Sequence, residues 1–268
     1  MKDTLISTNN AFDSLAKSYD DNFSRTALGH YYRHRVQQIM SAYWPTPGKL
    51  LELNAGTGED ALFLAGLGHQ VLATDKSAVM IEIIKHKINP DKQVPITTRE
   101  LAIEALPELN GEKFSGILSN FGGLNCVENW QAMARNTSEL LEPEGYYILV
   151  VMGPWVLWEM AYFTLKGQFN RAFRRISGRC RWRDMIIYYP SVRQITKAMS
   201  PYFKLVESQA LGLFMPPPYL SDSIESRPKL HRALTYLEDK SKQCPGLWQL
   251  ADHYLLVFKK CAKGSITP

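Results

Sequence analysis

Between residues 49 and 152 the chain alternates short apolar runs with longer segments of helical period, and few folds tolerate that pattern. Residues 49–54, 70–75, 94–99, 114–120 and 146–152 read as strands. Residues 59–66, 77–87 and 129–141 read as helices between them, with Ser77 as an N-cap and with Pro143 and Gly145 ending the last. The strands are apolar throughout rather than on alternate positions, so both their faces are buried. That requires a parallel sheet covered by helices. A helix at 191–199 and strands at 203–210 and 252–259 extend the pattern. The expected fold is α/β, a doubly wound, mostly parallel seven-stranded sheet.

The flanks divide the chain further. Residues 1–48 read as an N-terminal helical cap of two short helices, in which Phe12, Leu15, Ala16, Tyr19 and Phe23 recur at helical spacing. Residues 49–153 are the core. Residues 154–190 are an insertion rich in aromatic and basic residues, expected to be helical, and 191–268 return to the sheet. At 268 residues this is one large domain with an insertion. A hydrophobic fraction of 45% with 21% charged residues excludes wholesale disorder. The longest apolar approach to a membrane span, residues 146–157, is broken by Gly153 and Pro154. The polar start, MKDTLISTNN, predicts no secretory signal. Four scattered cysteines without Cys-x-x-Cys spacing argue against a zinc module or disulfide scaffold, and predict a cytoplasmic protein with no metal site.

Asn54-Ala55-Gly56-Thr57-Gly58 joins the first strand to the first core helix. Glycines at such a junction let the backbone approach a ligand, and the helix N-terminus offers free N–H groups. On the loop alone two readings stand. Gly56-x-Gly58-x-x-Ala61, with Asp75 near the distance of a ribose-binding acid, also fits a dinucleotide fingerprint and an NAD(P)-dependent oxidoreductase.

The wider stretch, Glu52-Leu53-Asn54-Ala55-Gly56-Thr57-Gly58, resembles the first motif of the class I S-adenosylmethionine-dependent methyltransferases. Asp75 ends the second strand, Ile103-Glu104-Ala105-Leu106-Pro107 follows the third, and Phe12-Asp13-x-x-Ala16-x-x-Tyr19-Asp20 is similar to the lead-in of many small-molecule members. The resemblance runs from about residue 11 to 152. It implies a Rossmann-like methyltransferase fold with an antiparallel last strand. It also implies S-adenosylmethionine as cofactor, with S-adenosylhomocysteine as product, and methyl transfer by direct displacement. Asp75 would take the ribose hydroxyls, Lys76 and Met80 would flank the adenine, and Ile103 and Glu104 would pack beside it. Glu52 would set the loop or meet the methionine ammonium, and Tyr19 and Arg33 would close over the cofactor. Ala55, Gly56, Gly58 and Asn120 complete the cofactor set. Asn54 stands where the family usually has glycine; asparagine tolerates the left-handed conformation that turn needs. A protein that binds the cofactor without transferring anything is the remaining alternative.

Ser119-Asn120-Phe121-Gly122-Gly123-Leu124-Asn125 lacks the Asn/Asp-Pro-Pro-Tyr/Phe motif of nucleobase and glutamine methylation, and Pro217-Pro218-Tyr219, which mimics it, follows the sixth strand. The substrate expected is a small, hydrophobic or aromatic metabolite: a lipid, quinone, polyketide or other natural-product intermediate. Phe121, Asn125, Trp155, Tyr188 and Phe214 are its expected contacts. His253, at the start of an antiparallel last strand, falls on the active edge and is the candidate base, whereas His69 falls on the opposite edge. Seven basic residues and no acid over residues 166–183 read as a solvated helix face or as peripheral contact with an anionic membrane surface or a carboxylated or phosphorylated substrate. A formal net charge of only +5 without a recognition motif predicts no nucleic-acid partner.

Overall fold

The computed structural model describes residues 13, 16, 20–88, 94–183, 185–216, 226–242, 244 and 246–262. Phe12, Leu15, Tyr19 and Pro217-Pro218-Tyr219, singled out above, lie outside the described residues.

Seven strands form one sheet in the order β3-β2-β1-β4-β5-β9-β8. They are β1 (Lys49–Leu53), β2 (Gln70–Asp75), β3 (Ile96–Glu100), β4 (Phe114–Ser119), β5 (Leu141–Met152), β8 (Phe203–Leu211) and β9 (His253–Lys260). All pairs are parallel except those that β9 makes with β5 and β8. The fold is therefore the doubly wound, mostly parallel sheet with an antiparallel last strand that the sequence predicts. The central strands bury both faces. Leu51, Leu53, Ile117, Leu149 and Leu256 point to one side, and Leu50, Leu118, Ile148, Val150 and Leu255 to the other, the period of two that a pleated strand imposes.

The first side is covered by α4 (Trp130–Leu140) and α6 (Val192–Met199) through Met133, Ala134, Ile195 and Met199. The other is covered by α1 (Ala27–Tyr43), α2 (Glu59–Gly66) and α3 (Ala78–Lys87) through Val36, Met40, Leu64 and Ile84. Ser77 caps α3, accepting from the Met80 N–H, and Asn129 caps α4 in the same way from Ala132. His69 lies buried at the other edge, where Nδ1 accepts from the Gly48 N–H. α7 (Pro228–Ser241) follows β8 and is pinned by the buried Glu238, which accepts from the Gly212 and Phe214 N–H groups.

In the N-terminal cap, α1 is preceded by a helical turn at Asp20–Ser24, and Asp13 and Ala16 are helical as well, the rest of 11–19 lying outside the described residues. One local expectation changes. The insertion is not helical throughout. After α5 (Leu157–Leu165) and a short turn at Phe169–Ala172, the chain forms a hairpin of β6 (Arg179–Trp182) and β7 (Met185–Tyr188). In β7, buried Met185 and Ile187 alternate with exposed Ile186, a strand period. Left-handed Gly178 (φ 76°) and Arg183 (φ 52°) break any helix on either side of β6.

Candidate active site

The strand order reverses between β1 and β4, and a crevice opens at their carboxyl ends. Asn54 takes a left-handed φ of 54°, and its side chain packs so closely on Gly123 that a Cβ there would lie 2.4 Å from the Asn54 Cβ. The glycines of the loop differ. A Cβ on Gly58 (φ 80°) would strike Ile84 at 2.8 Å, so Gly58 serves packing, whereas one on Gly56 (φ 55°) would enter open space. Gly56 thus leaves bare backbone facing the crevice.

Three carboxylates surround this loop. Asp75 accepts from the Gly56 N–H at 2.9 Å and from the Ser77 N–H at 2.8 Å, leaving lone pairs on both oxygens; burial raises its pKa against those bonds. Glu52 is 2% exposed, and Oε2 has no hydrogen-bond partner among the described residues. Burial, then the Asp60 charge, pushes its carboxyl well above the usual range, with Arg33 opposing. Asp60 Oδ2 receives Arg33 Nη1 at 2.6 Å and Asn120 Nδ2 at 2.8 Å. Asp20 closes the outer side, accepting from Thr57 and from Lys87, which also reaches Glu59.

Beyond β4 the walls turn apolar. Phe121 holds a left-handed φ of 47°, costly for a bulky residue, and is fixed there by a hydrogen bond from its N–H to Asn120 Oδ1. Its ring packs on Phe23 (centroids 4.9 Å apart), on Arg33 and on His253. Facing it, Met152 and the β6–β7 hairpin, through Trp182, Met185, Ile187 and Tyr188, complete a cavity of about 890 Å³.

Arg33, Glu52, Asn54, Ala55, Gly56, Asp75, Lys76, Met80, Ile103, Glu104, Asn120, Phe121 and Tyr188 all line this one cavity. Gly58 stands behind it, and Tyr19 lies outside the described residues. Arg33 spends Nη1 on Asp60 rather than extending it across the cavity. Three expected substrate contacts are placed elsewhere. Asn125 is fully buried: Nδ2 donates to the Met152 and Tyr188 carbonyls and Oδ1 accepts from the Met152 N–H, so it braces the hairpin to β5. Trp155 is 41% exposed and off the wall, because the chain turns outward before α5. Phe214 packs with Leu213 and Ala251, its carbonyl accepting from Trp158.

His253, the candidate base, lies beside Phe121 at the start of β9 but off the cavity wall, Nδ1 3.2 Å from Asp252 Oδ2. Burial would raise the Asp252 carboxyl, but Arg175, 2.9 Å away, and His253 hold it well below the usual range. Arg175 is itself buried between Asp252 and Glu159, and Arg174 shares Glu159. Two of the seven bases read as a solvated or membrane-facing run are therefore structural. Sequence reasoning also missed Asp60, Cys126 and the hairpin that carries the apolar wall, though it placed Tyr188 there. An acid in the first turn after a glycine loop was the available signal for Asp60. Burial pushes the Cys126 thiol up to about 11, so this wall cysteine stays protonated.

Residues 50–145 match the family described as "Methyltransferase domain". A demethylmenaquinone methyltransferase from Clavibacter sepedonicus is 27% identical over 138 residues, 52% of this chain and 55% of that protein. The chain thus spans about half the length of the curated relatives it matches. Among solved structures, the CcbJ methyltransferase from Streptomyces caelestis superposes with a TM-score of 0.60 at 15% identity, covering 92% of this chain and 96% of the other. The 1,6-didemethyltoxoflavin-N1-methyltransferase from Burkholderia thailandensis, solved with its substrate and S-adenosylhomocysteine, gives 0.55 at 14%, covering 97% and 92%. These likenesses extend the shared fold over nearly the whole chain.

Proposed function

From the premise that residues 50–145 are a class I methyltransferase domain, we propose that this protein transfers a methyl group from S-adenosylmethionine to a small, partly apolar acceptor. The observation that carries the reading is the charge of the loop end of the cavity. Glu52, Asp60 and Asp75 converge there, Arg33 is shared with Asp60, and a Glu52 oxygen is buried without a partner. A buried carboxylate in that state calls for a cation. S-adenosylmethionine brings a sulfonium and an ammonium, so the donor set fits it. The pyrophosphate of a nicotinamide dinucleotide would meet three acids, which argues against the oxidoreductase reading.

Asp75 would hold the ribose hydroxyls with its remaining lone pairs, and Glu52 the ammonium. Met80 and Ile103 provide apolar surface for the adenine. When bound, the cofactor supplies an electrophilic methyl carbon. The chain's own work is positioning: with the nucleophile held in line about 3 Å from that carbon, orientation alone supplies much of the acceleration. Phe121, pinned on four sides, and the hairpin wall hold the acceptor and exclude water. His253, its Nδ1 turned to an ionised Asp252, packs against Phe121 but does not line the cavity, so it braces that wall and is assigned no proton transfer. The apolar wall and the menaquinone-directed relative make quinone precursors and related ring compounds the first class to screen.

Calorimetric titration with S-adenosylmethionine, S-adenosylhomocysteine and reduced nicotinamide dinucleotide tests the reading. Binding of the first two, lost in Asp75→Ala, is expected. Selective binding of the dinucleotide would overturn it.

A further inference from the structure

Eight of the thirteen large apolar side chains exposed among the described residues fall within residues 155–186. They include Leu165 at 88% exposure and Phe169 at 57%. Such clustering on a folded surface marks a contact site. Lys166, Arg171, Arg179 and Arg181 stand exposed among them, while the acid of α5, Glu159, is buried and saturated by Arg174 and Arg175. Among the described residues, the outward charge of this face is therefore basic. Lys166 lies 4.3 Å from the Tyr162 ring centroid and Arg183 4.7 Å from that of Trp182, cations resting on aromatic stems. No helix among the described residues is long and apolar enough to cross a membrane. The patch runs into the cavity, because Trp182 and Ile186 are both exposed and part of its wall.

We propose that the face formed by residues 155–186 docks on an anionic lipid bilayer, with Leu165 and Phe169 inserted between headgroups and the cations on lipid phosphates. Charge decides between occupants. A second copy seated symmetrically on the same face would set bases against bases, whereas an anionic bilayer satisfies the bases and the apolar side chains together. The hairpin edge of the cavity would then meet the lipid, a route for an apolar acceptor.

Co-sedimentation with phosphatidylcholine vesicles, with and without phosphatidylglycerol, tests this on the full chain. Partition onto the anionic vesicles is expected to be at least about tenfold stronger and to fall with added salt. Lys166→Gln with Arg171→Gln should weaken it about 25-fold, at roughly fivefold per cation. Leu165→Glu with Phe169→Glu should abolish it, and thermal melts should show all these exposed variants folded. Absence of partition, equal partition onto both vesicles, or partition unchanged by Leu165→Glu with Phe169→Glu would overturn the proposal. So would sedimentation velocity showing a dimer that this double variant dissolves, since a second copy would then cover the face. Because none of these residues lines the cavity, cofactor titration of the same variants separates failure of docking from failure of the methyl-transfer reading.

Discussion

The two ends of the cavity handle charge in opposite ways. At the loop end, three acids share little positive charge and two carboxylate oxygens, Glu52 Oε2 and Asp60 Oδ1, are left bare, so that end is incomplete by itself. At the insertion end, Arg175 lies between Asp252 and Glu159, and every formal charge of that network has its opposite. A region that balances its own charges is structure; a region that leaves one buried and unanswered is waiting for a ligand. The same contrast separates the glycines, since Gly58 fits against Ile84 while Gly56 faces nothing.

The largest effect should come from breaking the balanced end. Arg175→Met leaves buried Glu159 with only the partly exposed Arg174 and buried Asp252 with only His253, and is expected to destabilise by about 3–5 kcal/mol. A fall of about 10 °C in the thermal midpoint would register it. A change under 2 °C would mean that solvent reaches the network. At the incomplete end, Asp75→Ala removes the acceptor proposed for two ligand hydroxyls and the partner of the Gly56 and Ser77 N–H groups. It should weaken S-adenosylmethionine binding about 100-fold by calorimetry and cost about 1–3 kcal/mol of stability, less than the loss at Arg175.

The glycine pair sharpens the comparison. Gly58→Ala should cost about 1–3 kcal/mol of stability through the clash with Ile84 and the positive φ. Gly56→Ala should cost about 1 kcal/mol through its φ alone, yet impair cofactor binding by placing a methyl group in the crevice. Equal effects on binding from the two variants would erase the distinction.

The smallest effect is a matter of pH. The native Glu52 carboxyl holds its proton more tightly than the unfolded one. Its contribution to stability is therefore complete below the ordinary value of 4.5 and is lost as pH rises through the raised native value. Glu52→Gln should be more stable than the wild type at neutral pH, with the gain shrinking in acid, and bind S-adenosylmethionine more weakly. Asp252 runs the other way. Its contribution is present above 3.8 and lost as pH falls through the depressed native value, so Asp252→Asn should lose most at neutral pH. Differential scanning calorimetry across the acid range reads both; parallel pH curves for Glu52→Gln and the wild type would sink the first.

The sheet was legible because its signals are local. Apolar runs at 49–54 and 114–120, the Ser77 cap and the loop at Asn54 each declare themselves within a few residues. The insertion was not. Its aromatic and basic composition suits a helix face as well as a hairpin, and only the alternation of Met185, Ile186 and Ile187 against the core distinguishes them. Asn125 was misplaced for the same reason, since nothing near it in the chain states that its amide is already engaged, and no local signal shows that Trp155 faces outward or that Phe214 packs against Leu213 and Ala251.

The sequence by itself determined the alternation of strand and helix, the glycine loop and the position of Asp75, because backbone conformation and strand period depend on neighbouring residues. Only the tertiary structure decided that Asp60 joins Glu52 and Asp75, that Arg175 is neutralised by Glu159 and Asp252, and that a hairpin walls the cavity. Those outcomes depend on which distant charges share one desolvated volume, and burial fixes that after the chain has folded.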